Sequence, residues 1–127
     1  YAVKDPRGLA PIGYHIPSEL EWTSLIDCLG MGSVAGAKLK STGTTFWSSP
    51  NTANNSSGFT ALPGGTRRVI TNHTFTYIGE YAFFWTNTSW NSTSGSSYSQ
   101  LGPTNTANTL GASNNMRDGY YVRCVKD

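Results

Sequence analysis

The chain has 127 residues, a net charge of +2 and only 13% charged residues, its nine Lys and Arg scattered from Lys4 to Lys126. That length suits one domain with its own core, and scattered positive charge lacks the basic stripe of a nucleic-acid footprint. No apolar run approaches the roughly 20 residues that cross a bilayer, so insertion into a membrane is not expected.

Tyr1 opens the sequence with neither a methionine nor a charged-then-apolar leader, so an export signal is expected to have been removed or left out. Residues 1–3 read as the remnant of a first strand, best placed beside the final strand, and a turn follows at residues 5–8. Ser18 and Glu21 then form a capping box at the start of a helix. Trp22, Leu25, Ile26 and Leu29 give that helix one apolar face, and Gly30 ends it. A second, shorter helix is expected over residues 34–40 with Ser33 as its cap.

Residues 48–65 are rich in Asn, Ser, Gly and Pro. Trp47, Phe59 and Leu62 are expected to anchor this irregular stretch to the core. Residues 67–70 and 74–78 read as a hairpin turning at Asn72 and His73. Residues 81–85 form the next strand, short strands are expected at residues 100–101 and 108–110 around a turn at Gly102 and Pro103, and residues 120–125 close the sheet. Early helices and late strands define an α+β class, the helices packed on one side of a small, irregular antiparallel sheet with long loops.

The most unusual stretch is residues 86–115, where Asn, Ser and Thr fill 19 of 30 positions and no residue is charged. Apolar sequence brackets it on both sides, so it reads as a polar insert held by core strands. Small hydrogen-bonding groups interspersed with aromatics are the composition of an adaptable paratope. Trp90 and Tyr98 each have two readings, a contact residue or an anchor folded back on the core.

Other chemistries are poorly served. His15 and His73 lie outside zinc or nucleophile motifs and read as a loop-packing and a hairpin-tip residue. The seven carboxylates are dispersed, Glu19 and Glu21 being explained by the first turn of a helix. Neither an enzymatic activity nor a cofactor is expected. Cys28 and Cys124 are the only cysteines, both in segments that look buried. They pair as a disulfide, worth roughly 4 to 5 kcal/mol in the chain-entropy model, or remain two buried thiols.

Several segments carry a family resemblance: Tyr1-Ala-Val-Lys-Asp-Pro-Arg-Gly-Leu-Ala-Pro11, Ile16-Pro-Ser18, Glu21-Trp22, Val34-Ala-Gly36, Lys38-Leu39, Ser57-Gly-Phe-Thr-Ala-Leu-Pro-Gly-Gly65 and Val122-Arg-Cys-Val125. Over essentially its whole length the chain resembles the Fibrobacter succinogenes major paralogous domain. The resemblance implies a single domain, residues 1–127, with a variant of the C-type lectin fold found in exported bacterial proteins. It also implies an extracellular or cell-surface location. Some members are variable proteins of diversity-generating retroelements, whose Asn codons near the C-terminus are rewritten by adenine-directed mutagenesis.

By that resemblance residues 86–115 become a candidate variable surface, with Trp90, Asn91, Ser97, Tyr98, Gln100, Thr104, Asn105, Asn108, Leu110, Ser113 and Asn114 as contact positions. The implied partner is a protein or cell-surface ligand, glycans included. C-type lectins join their first helix to their last strand by a disulfide, which extends to Cys28 and Cys124 here, although position 28 is more often aromatic in the family. The Glu-Pro-Asn, Gln-Pro-Asp and Trp-Asn-Asp tripeptides of lectin calcium sites are missing from the sequence, so metal-dependent sugar binding is not expected. A structural or adhesive module of a larger surface protein, or a carbohydrate-binding module, are the competing expectations.

Overall fold

A computed structural model describes residues 2–89, 95–113 and 115–127, with residues 4 and 109–113 as backbone only. After a two-residue strand, β1 (Tyr14–His15), the first helix, α1 (Glu19–Cys28), starts at its capping box. Ser18 Oγ accepts the Glu21 N–H at 3.2 Å and the Glu21 carboxylate accepts the Ser18 N–H at 2.8 Å. The helix ends in a Schellman turn. Gly30, at φ 105°, donates its N–H to the Asp27 carbonyl and Met31 donates to the Ile26 carbonyl.

Helix α2 (Gly32–Leu39) begins earlier than expected, on Met31 at φ 62°, with no side-chain cap. Ser33 therefore lies inside the first turn rather than capping it. Trp47 is buried and its indole N–H donates to the Ala61 carbonyl at 3.1 Å, while Phe59 packs against the core. Leu62 does not: Ala61 is the inward residue of that stretch, which turns the next side chain to solvent.

The predicted hairpin shortens to β2 (Thr66–Arg67) and β3 (Phe75–Thr76), paired antiparallel with Thr66 opposite Thr76. Val69–Thr71 is a 3-10 turn, and Asn72 and His73 reverse the chain at φ 53° and 62°. The main sheet follows as β4 (Ala82–Ser89), β5 (Ser96–Leu101) and β6 (Ala107–Ser113), antiparallel in that order. Most of the polar segment is thus regular sheet rather than a loop between strands.

Two terminal expectations are corrected. Residues 2–4 form a 3-10 turn, and the final strand, β7 (Val125–Lys126), pairs instead with β1, His15 opposite Val125. Nor does the stretch from Tyr120 close the sheet as a regular strand; it touches β4 through Tyr121, whose carbonyl accepts the Trp85 N–H and whose N–H donates to the Phe83 carbonyl, both at 2.9 Å.

Both helices lie on one side of the β4–β5–β6 sheet, an α+β arrangement. Trp22 and Ile26 of α1, Ala35 and Leu39 of α2 and Trp47 meet Ala82, Phe84, Leu101 and Ala107 there. Among the described residues no helix is long and apolar enough to cross a membrane.

The cysteine pairing is also corrected: both thiols are free, Cys28 exposed and Cys124 half-buried. At 100° per residue, Cys28 falls well outside the stripe that Trp22, Leu25, Ile26 and Leu29 turn to the core.

Candidate functional site

Strand β4 is buried on both faces from Ala82 to Thr86. Side chains alternate across a sheet, so Ala82 and Phe84 face the helices while Phe83 and Trp85 face outward. The two phenylalanines accordingly belong to different aromatic clusters. Phe84 contacts Trp22, Phe59 and Tyr121 at 5.2–5.6 Å between ring centroids. Phe83 stacks on Tyr81 at 5.6 Å and on Tyr120 at 5.2 Å, with Tyr77 and Tyr98 meeting it edge-on. Trp85 extends the outer cluster by stacking on Tyr120 at 4.3 Å. Ring pairs of this kind add roughly 0.5–1.5 kcal/mol each beyond area burial.

The outer cluster floors a cleft of about 260 Å³. The tyrosines form its aromatic wall, and Thr66, Arg68 and Gln100 supply its polar groups. Register explains why β5 contributes alternate residues: Tyr98 lies opposite Trp85 and Gln100 opposite Phe83, with Asn108 of β6 opposite Gln100 and exposed. Arg68 enters from the β2–β3 hairpin. Its Nε lies 3.9 Å from Asp118 Oδ2, while Asp118 Oδ1 accepts the Val69 N–H at 2.9 Å. Burial pushes the Tyr98 phenol above its ordinary value, opposed by the Arg68 charge, so at neutral pH it is an uncharged hydroxyl.

Of the expected contact residues, Tyr98 and Gln100 line this cleft, Asn108 adjoins Gln100 across the strands, and Thr104 is exposed in the β5–β6 turn. Ser97 and Asn105 are corrected, because both are buried and structural. Ser97 Oγ lies 2.8 Å from Thr86 Oγ1, which also donates to the Ser97 carbonyl at 3.1 Å, and Ser97 Oγ donates to the Thr88 carbonyl at 3.2 Å. The register shifts between Trp85 and Ser89, and these hydroxyls satisfy the backbone groups that the irregularity leaves without ladder partners.

Asn105, at φ 58°, accepts from Lys40 and donates to Thr52 Oγ1. Leu110 and Ser113 sit in β6 opposite Tyr98 and Ser96, their side chains outside the described residues. Trp90, Asn91 and Asn114 also lie outside them.

Sequence reading missed Thr66, Arg68, Tyr77, Tyr81 and Tyr120 as one site. The available signal was the alternation within residues 81–85, which gives that strand a second apolar face. Another groove, about 300 Å³ on the helix side, is walled by Pro17, Trp22, Leu25, Phe59 and Val125 with Arg123 over the Phe59 ring at 4.5 Å. Its lining is largely hydrocarbon.

No curated protein and no solved structure matches the chain. The model of the Fibrobacter succinogenes major domain matches residues 1–126, and the chain belongs to that family.

Proposed function

We propose that the domain is a non-enzymatic recognition module of an exported bacterial or phage-associated protein, built on a variant of the C-type lectin fold. It binds a protein or cell-surface ligand on the outer face of β4–β5–β6. The observation that carries this reading is the cleft in which four tyrosines surround Phe83 beside Arg68 and Gln100. Rigid amphipathic rings joined to adaptable polar groups are the usual makings of a contact surface. Ile70, Phe75 and Ile78 are exposed on the adjoining hairpin, apolar area that a macromolecule seated on the cleft would cover.

The proposed contact set is Tyr98, Gln100 and Asn108, to which the sequence adds Trp90 and Asn91, outside the described residues. Asn105 drops out, because rewriting its codon would remove a partner of the buried Lys40. Diversification of the remaining Asn codons predicts a second, adenine-rich copy of this coding stretch beside a reverse transcriptase gene.

Protein, glycan and whole-cell arrays test the reading. Selective hits are expected that Gln100→Ala, at a half-buried position, and Asn108→Ala, at an exposed one, weaken at least tenfold with little shift in the melting temperature. Uniform silence, or hits indifferent to both substitutions, would refute it in favour of a structural module.

A further inference from the structure

The outer cleft has a chemistry more specific than a general contact surface. Its volume of about 260 Å³ falls just below the roughly 300 Å³ of a drug-sized site and fits one ring. Its walls are tyrosine rings, whose negative faces attract the polarised C–H groups of an alicyclic ring.

The polar groups are of three kinds. The Gln100 amide offers both donors and an acceptor. Thr66 is 3% exposed, and its Oγ1 has no hydrogen-bond partner among the described residues. Among the described residues Arg68 is the only charged one lining the cleft, and its Nε has no hydrogen-bond partner among them. The 3.9 Å to Asp118 is too long for one. Asp118, whose side chain is only 3% exposed, backs the guanidinium while one of its oxygens is committed to Val69.

We infer that the cleft binds one acidic pyranose, a uronic or sialic acid residue of a surface glycan. The ring stacks on the tyrosine wall, its hydroxyls meet Gln100 and Thr66, and its carboxylate meets Arg68. This rests on the recognition reading above and names its ligand class. Asp118 balances the Arg68 charge from 3.9 Å without taking up its Nε–H in a hydrogen bond, so a neutral sugar would forgo a charge-assisted bond that a carboxylate can make. A divalent or polyanionic ligand would find one cation where it needs several.

The probes are methyl glucuronide and methyl glucoside, which differ only in the carboxylate. Saturation-transfer NMR on the full chain is expected to label the ring protons of the glucuronide, with affinity about tenfold above that of the glucoside, the increment of one charge-assisted hydrogen bond. Arg68→Gln should bring the two sugars level, and Arg68→Lys should restore part of the preference. The comparison of the two sugars on unmodified protein stands even where a variant folds poorly. Equal binding of both sugars, or no transfer to either at millimolar concentration, overturns the inference. Silence toward both sugars alongside array hits that Gln100→Ala abolishes removes this inference alone, whereas silence on every array removes the recognition reading too.

Discussion

Lys40 Nζ donates to Asn105 Oδ1 at 3.0 Å, and the lysine side chain has no solvent access. The same ammonium donates to the carbonyls of Gly102 and Pro103 at 3.0 and 3.3 Å and sits 4.0 Å above the Trp47 ring. One cation therefore pins the β5–β6 turn to the end of α2. The approach is close: a Cβ on Gly36 would stand 1.6 Å from the Asn105 carbonyl oxygen, so only glycine lets the helix lie this near.

Replacing Lys40 with Met keeps much of the volume but leaves three acceptors without their donor. Each buried acceptor so stranded costs about 1–3 kcal/mol, partly offset because no charge is buried any longer. Chemical denaturation of Lys40→Met should show a loss of about 3 kcal/mol.

The same lysine gives a signature in pH. Burial pushes it down from 10.5 to about 8, so between those values the unfolded chain binds a proton that the folded chain has released. Stability from this group then rises with pH across that window. Urea midpoints of the parent between pH 8 and 9.5 should climb relative to those of Lys40→Met, and parallel curves would remove the assignment.

A second clamp ties the chain ends. The His15 ring lies between Glu21 Oε1 and Asp127 Oδ1, each at 2.7 Å, joining β1, the start of α1 and the residue after β7. Hydrogen bonds to Asp127 and then Glu21 raise His15 above its ordinary 6.5. Its contribution is complete below that value and fades as pH rises through the folded pKa. Glu21 runs the other way: the Ser18 N–H, then His15, hold it down to about 2, so its contribution is complete above 4.5 and fades toward pH 2. The clamp is strongest between about 4.5 and 6.5. Melting temperature should decline from pH 6 to 8 in the parent and stay level in His15→Gln. Ser18→Ala should cost about 1 kcal/mol at any pH above 5 through loss of the cap.

What the sequence disclosed follows the range of the interactions. The capping box, Gly30 and the apolar stripe of α1 were legible because each involves residues within one or two helical turns. The hairpin at Asn72 was legible for the same reason. Strands β5 and β6 were harder to see, since Ser and Asn are poor strand formers by intrinsic preference. Ser97 and Ser99 are buried there because small hydroxyls fit beneath the helices and find backbone carbonyls, at 3.2 Å and 3.4 Å. Composition read that polarity as display, whereas half of the alternation faces the core. The cleft was the least legible feature. It gathers Arg68 from a hairpin, Tyr77 from a turn, Tyr98 from a strand and Tyr120 from an irregular stretch, and only the tertiary fold brings those four together.

The two cysteines provide the last test. Cys28 stands on the solvent side of α1 and Cys124 is half-buried in the stretch before β7, both as free thiols. Stability should therefore not depend on a covalent tie between the first helix and the last strand. Intact mass after alkylation under native conditions should show Cys28 modified quickly and Cys124 more slowly, because a thiol reacts only when reagent can reach its thiolate. Melting temperatures with and without reductant should coincide. A loss of several degrees on reduction would instead place a bridge between the two, since a cross-link closing so long a loop contributes roughly 4 to 5 kcal/mol.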